Sequence, residues 1–194
     1  LLKERLQKVV EQDNIELFEE EKALLENDGL LSNNQLSGLN VKESSSRFSE
    51  VYIERSLKET DELVSTETGS FLEKPLHDLK ESMAEFIYVE SKWFDVIGID
   101  AISLEVDDVF GTYEAMFGLK LKKNEETKIR DYVNESRIGE TIKYNLLFNQ
   151  QDGLWDMNLT LDHIKGFDEK MTFGEVFCFI YKYLFRLVLQ IEKK

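Results

Sequence analysis

Three carboxylates crowd one short stretch of this chain: Glu105, Asp107 and Asp108, where an alternating segment runs into the turn-like Asp107-Asp108-Val109-Phe110-Gly111. Alternation puts Glu105 and Asp107 on the same side of a strand, opposite Ile102, Leu104 and Val106. Two carboxylates so placed can bind Mg²⁺ or Ca²⁺, or divide into general acid and base where their surroundings separate their pKa values. No third ligand follows at a recognisable spacing and no EF-hand loop matches. The plainer reading, a solvent-facing strand side ending in turn-favouring aspartates, is therefore preferred. His77 and His163 are the only imidazoles. His163 stands beside Asp162, but adjacent strand residues point to opposite faces, so the two do not simply pair. Three-His and HExxH zinc sites are not open to two such distant histidines. Cys178 lies between Phe177 and Phe179, where a thiol reads as a small core residue; a nucleophile wants exposure and positive neighbours. Trp93, Trp155 and the tyrosines could line a pocket between sheet and helices, although aromatics at core spacing are more often simply core. Walker A, GxGxxG, GxSxG and CxxC patterns do not occur, and no cofactor or metal is called for.

The elements that would position these residues read most clearly from residue 70 onward. Ser70-Phe71-Leu72-Glu73 has the form of a capping box, with Pro75 in the first turns. An apolar stripe then runs through Leu76, Leu79, Met83, Phe86, Ile87, Trp93 and Phe94, predicting a helix over 71–94 that stops at Gly98. The period then changes to two. Ile102, Leu104 and Val106, then Tyr113, Ala115, Phe117, Leu119 and Leu121, predict an antiparallel hairpin. Asn124 can cap a short helix carrying Ile129, Tyr132 and Val133. A second hairpin follows, with Ile142, Tyr144, Leu146 and Phe148 in one strand and Trp155, Met157, Leu159 and Leu161 in the next, turned by Gln150-Gln151-Asp152-Gly153. Thr172-Phe173-Gly174-Glu175 is another capping box, opening a helix to about Lys193. Phe179, Tyr183 and Phe185 make its apolar face wider than one sheet would cover, so it is either buried between layers or part of a subunit contact.

Residues 2–26 are spaced as a helix, with Leu2, Leu6, Val9, Leu17 and Leu24 recurring and Asn27-Asp28-Gly29 as a stop. Between Glu11 and Glu26 there are seven acids (11, 13, 16, 19, 20, 21, 26) against Lys22 alone. Such a face, with Glu16, Glu19 and Glu20 at its centre, could dock a basic partner; a solvated helix face is the commoner meaning. Residues 28–46 read as a polar linker, 47–64 as a second helix through Phe48, Val51, Tyr52, Leu57 and Leu63, and 65–70 as a further break. The division drawn is a helical region at 1–69 with polar linkers, and an α+β domain at 70–194.

The formal charge of −15 works against binding to nucleic acid backbones and anionic membranes, and permits basic partners. The longest apolar stretch, 176–191, carries Lys182 and Arg186 in its middle, which is costly in lipid. A single cysteine fits a reducing compartment, and no basic segment followed by an apolar run opens the chain, so cytoplasmic residence is expected.

Two stretches, FIYVESKWFDVIGIDAISLEVDDVFGTYEAMFGLKL at 86–121 and GLWDMNLTLDHIKGF at 153–167, resemble small uncharacterised cytosolic proteins of Bacillus-like bacteria. Some of those carry a branched-chain aminotransferase label. The resemblance implies a cytosolic bacterial protein and brings no functional residue with it. The label does not suit this chain, which is too short and shows no phosphate-binding loop or Schiff-base lysine context.

These readings predict an α+β fold. A four-stranded antiparallel sheet from two β-hairpins packs against the helices at 71–94 and 172–192, with a helical N-terminal region. The leading functional expectation is a non-enzymatic protein-interaction or regulatory module, acting on a protein partner of basic character or as a homodimer, with Glu16, Glu19, Glu20, Phe179 and Tyr183 as contact residues. The alternative is a small-molecule-binding protein or small enzyme using an acidic strand-end site of Glu105, Asp107, Asp108, His163 and Trp155.

Overall fold

The computed structural model describes residues 2–11, 16–31, 35, 39–139 and 143–192. In chain order its elements are α1 (Leu2–Val10), β1 (Glu16–Leu17), α2 (Glu19–Asn27), β2 (Asn40–Val41), β3 (Tyr52–Leu57), β4 (Leu63–Glu67), α3 (Asp78–Glu81), β5 (Glu85–Glu90), α4 (Lys92–Ile97), β6 (Ile102–Val106), β7 (Tyr113–Leu119), α5 (Glu126–Glu135), β8 (Tyr144–Asn149), β9 (Leu154–Thr160) and α6 (Phe173–Glu192). Short 3-10 turns occupy Ser44–Ser46, Gly69–Glu73, Lys123–Glu125 and Leu161–His163. The fold is α+β. Seven strands form one antiparallel sheet in the order β4-β3-β5-β6-β7-β9-β8, and β1 and β2 pair in parallel as a separate small sheet.

The expected four-stranded sheet is thus corrected to seven strands. β6, β7, β9 and β8 coincide with the two expected hairpins, but β3, β4 and β5 extend the sheet beyond β6. The segment expected as a helix over 47–64 is a hairpin, β3-β4. Its Tyr52-Ile53-Glu54-Arg55-Ser56-Leu57 run pairs residue for residue with β5, and that pairing wins over a spacing compatible with a helix. The segment expected as a helix over 71–94 breaks into four: the 3-10 turn, α3, β5 and α4. Pro75 holds Lys74 extended at φ −68° and ψ 148°, which ends the 3-10 turn at Glu73. Ser70 bonds to Thr68 through their hydroxyls rather than capping a helix. After the single turn of α3, Phe86 to Glu90 join the sheet, and helix returns at α4, where the Ser91 hydroxyl accepts from the Trp93 amide at 3.3 Å.

The N-terminal region is likewise not one long helix. α1 and α2 are separated by β1, and Leu17 and Phe18 are buried there. Asp13 and Ile142, counted in the sequence reading, and Lys193, the expected end of α6, lie outside the described residues.

The sheet has two unlike faces. One carries Ile53, Ile87, Val89, Ile102, Leu104, Val106, Tyr113, Ala115, Phe117, Leu119, Leu146, Trp155, Met157 and Leu159, which share a core with α1, α2, α4, α5 and α6. α6 supplies the largest part of that core, from Phe173 through Phe177, Ile180, Leu184 and Leu187 to Ile191. Its width is explained by this burial among helices and sheet. The Thr172 capping box forms: the Thr172 amide donates to Glu175 Oε2 at 2.8 Å, and the Glu175 amide to Thr172 Oγ1 at 3.3 Å. Among the described residues no helix is long and apolar enough to cross a membrane.

Candidate functional site: the open face of the sheet

The second face of the sheet alternates with the first, and its composition is different in kind. Register places Glu54, Tyr88, Ser103, Met116, Asn158 and Asn145 in one row across six strands. A second row holds Glu105, Glu114 and Thr160; a third holds Gly118, Asp156 and Leu147. Tyr52 and Glu90 face each other beside the first row. Tyr52, Phe86, Tyr88, Met116 and Leu147 belong neither to the core nor to the apolar residues packed against it. Tyr52 and Leu147 are 43% and 64% exposed, so this side is accessible and partly apolar.

Its strand residues carry charge of one sign, with Lys58, just past β3, as a base at the rim beside Glu105. Glu54, Glu90, Glu105, Glu114 and Asp156 all point to this face, and no lysine or arginine in the seven strands joins them. The single strand base, Arg55, lies on the other side, where its guanidinium pairs with Glu85 at 2.7 Å and Glu67 at 3.4 Å.

Glu105 and Glu114 are directly opposed on β6 and β7, which puts their Cβ atoms about 5 Å apart. Burial raises both carboxyls above the ordinary range. At Glu105 the Lys58 ammonium opposes the rise, and Asp108 and Asp107 add to it. At Glu114 hydroxyl donation from Thr160 (2.6 Å) and Thr112 (3.1 Å) opposes it. Glu114 had a sequence signal: it sits between the inward residues Tyr113 and Ala115, so it had to face out beside Glu105.

The other strand-end residues have separate engagements. Asp107 is a turn residue whose Oδ1 accepts from the Phe110 amide at 2.6 Å and the Val109 amide at 2.9 Å, and these bonds hold its carboxyl below the usual range. Asp108 pairs with Lys58 at 2.8 Å, and the same ammonium donates to the Val106 carbonyl. His163 ends a 3-10 turn, where its Nδ1 accepts from the Lys143 amide at 3.4 Å. Trp155 is on the helix-covered face, five residues along β9 from Thr160 and so about 17 Å from the Glu114 end. Its indole donates to the Lys122 carbonyl at 3.2 Å. The structure therefore brings Glu105 together with Glu114 rather than with Trp155. Among the described residues no group of three or more His, Cys, Asp or Glu side chains could hold a metal ion.

The residues expected as a contact surface are engaged within the chain to different degrees. Glu16 pairs with Lys42 at 2.7 Å, while Glu19 is exposed at the start of α2. Glu20 bridges Arg47 at 3.0 Å and Lys182 at 2.9 Å. Tyr183 is buried with its hydroxyl bonded to Ser136 at 2.8 Å, and Phe179 is half-buried against Phe167. Cys178 is buried, and its thiol donates to the Ser44 carbonyl at 3.1 Å.

A groove of about 960 Å³ runs along the head of α6, lined by Ser45, Ser49, Leu72, Met171, Cys178 and Phe179 among others. The chain matches no protein-family model, no curated protein and no solved structure.

Proposed function

We propose that this chain is a non-enzymatic interaction module that docks a basic protein partner on the open face of its sheet, in the cytoplasm. The observation that carries this reading is the sign of that face: five carboxylates, no strand base, and aromatic rings left uncovered among them. A surface of single sign raises the encounter rate with oppositely charged partners and repels like-charged ones. A second copy of this chain would present the same acids, so face-to-face self-association is disfavoured and a basic partner is the better fit.

The test is amide chemical-shift mapping with a short peptide of alternating arginine and serine, against the same peptide built with glutamate. Shifts concentrated on β3, β5, β6, β7 and β9, weakening as salt shortens the screening length to about 8 Å and below, are expected. Shifts spread over the whole surface, or none, would end the proposal. A second reading, a small-molecule site, is supported by the apolar groove at the head of α6, whose size and lining suit a compact apolar ligand. It predicts that an apolar fragment shifts Leu72, Met171 and Phe179 and leaves the open face unmoved.

A further inference from the structure

Four residues of the open face form a regular square. Tyr52 is opposite Glu90 and Glu54 is opposite Tyr88, on β3 and β5. Along each strand the tyrosine hydroxyl donates to the glutamate two residues on: Tyr52 to Glu54, and Tyr88 to Glu90 at 2.7 Å. Rings and carboxylates thus alternate around a patch about 5 Å wide across the strands and about 7 Å long. Each hydroxyl is bonded to one carboxylate oxygen, which leaves the other oxygen of each glutamate with unused acceptor capacity. Among the described residues neither Glu54 nor Glu90 is paired with a lysine or arginine.

The interior of the same protein contains a filled version of this arrangement. The Arg47 guanidinium lies 3.9 Å from the ring centroid of Phe18 and 3.8 Å from that of Tyr181. It donates to Glu21 at 2.6 Å and to Glu20 at 3.0 Å, and the Tyr181 hydroxyl donates to Glu21 at 2.6 Å. Two close rings, a third (Trp93) at 5.3 Å, two glutamates and a phenol bonded to one of them hold one arginine there. On the open face two rings and two glutamates repeat the same phenol–carboxylate bonds around no basic side chain of the described residues.

We infer that the Tyr52–Glu54–Tyr88–Glu90 square is the anchor point for an arginine side chain of the docked partner. The guanidinium is planar, so it can lie on a phenol ring while its N–H groups reach a carboxylate in the same plane. A lysine ammonium makes the charge contact without the fork, and binds less well. The inference rests on the docking proposal, since it names where on the open face the partner's charge is read.

The experiment uses the full chain and one peptide scaffold carrying a single central arginine, lysine or citrulline, with the other basic residues held constant. The arginine peptide is expected to bind about tenfold tighter than the citrulline peptide, with lysine between them. Tyr88→Ala and Glu90→Gln should each erase most of that difference. Tyr88→Phe, which keeps the ring, should retain most of it, and circular dichroism of each variant checks the fold. Equal affinity for arginine and citrulline peptides that still shift Glu105, Glu114 and Asp156 would overturn the anchor and leave the docking face standing. An arginine preference unchanged in Tyr88→Ala and Glu90→Gln would also overturn it. Absence of any shift on the open face would overturn both.

Discussion

Arg47 shows what a single buried charge does to the rest of the chain. Its guanidinium is enclosed by Phe18, Trp93 and Tyr181 and satisfied by Glu20 and Glu21, while Nε alone has no partner among the described residues. Glu21 is buried as well and accepts from the Phe18 amide at 3.2 Å. Removing one member of such a pair strands the other without compensation. Arg47→Ala should therefore cost about 3–5 kcal/mol in urea unfolding. Arg47→Met with Glu21→Leu should recover much of that loss, because both desolvation penalties then disappear. The opposed acids of the open face behave in the contrary sense. Folded Glu105 and Glu114 have raised carboxyl pKa values, so the native state holds protons there that the unfolded chain has released. Their contribution is lost as pH rises from the ordinary carboxylate value, about 4.3, through the raised folded values. Glu105→Gln and Glu114→Gln should thus stabilise the protein at neutral pH, with the gain vanishing by about pH 3, where both states are protonated. Urea titrations at the two pH values check this, and a gain that persists at the lower pH would contradict it.

At the scale of elements, two close fits make specific demands. A side chain at Gly118 of β7 would meet the Asp100 carboxylate at 2.6 Å, and that carboxylate already accepts from the Gly118 amide at 2.8 Å and the Ala101 amide at 2.7 Å. Gly118→Val should cost about 1–3 kcal/mol and loosen β7 against the 99–101 segment, seen as faster amide exchange at Ala101. Thr172→Ala removes one half of the α6 cap and should cost about 1 kcal/mol, with the loss felt at Phe173 to Glu175. These same elements show where the sequence was readable. β6, β7, β8, β9, α5 and α6 were legible because apolar period, turn residues and caps agreed: Gly153 takes a left-handed φ of 68°, and Asn149 Oδ1 accepts from the Gln151 and Asp152 amides in the turn. β3, β4 and β5 were not. Phe48, Val51, Tyr52, Leu57 and Leu63 fit a helical spacing, but Tyr52 and Leu63 are exposed and only pairing with distant strands gives the segment its form. The open-face square was hidden for the same reason, since Tyr52 meets Glu90 only once β3 and β5 are neighbours.

At the scale of the whole molecule, β3 and β4 are the outer part of a sheet whose other strands come from beyond residue 84. A chain beginning at Thr68 would leave the β5 edge unpaired and Ile87 and Val89 without Ile53 beside them. The full chain should unfold in one cooperative step, and the truncated chain should self-associate in light scattering coupled to size exclusion. A monodisperse, folded truncation would show that the strands from β5 onward stand alone. The bond from Cys178 to the Ser44 carbonyl spans 134 residues and ties the turn before Arg47 to α6. Burial raises the thiol pKa and leaves the sulfur a narrow approach from the groove at the head of α6, so alkylation of Cys178 in native buffer is slow and quickens when that turn lifts away. The molecule therefore carries its own reporter: iodoacetamide traps this one thiol faster as the N-terminal segment lets go of the final helix.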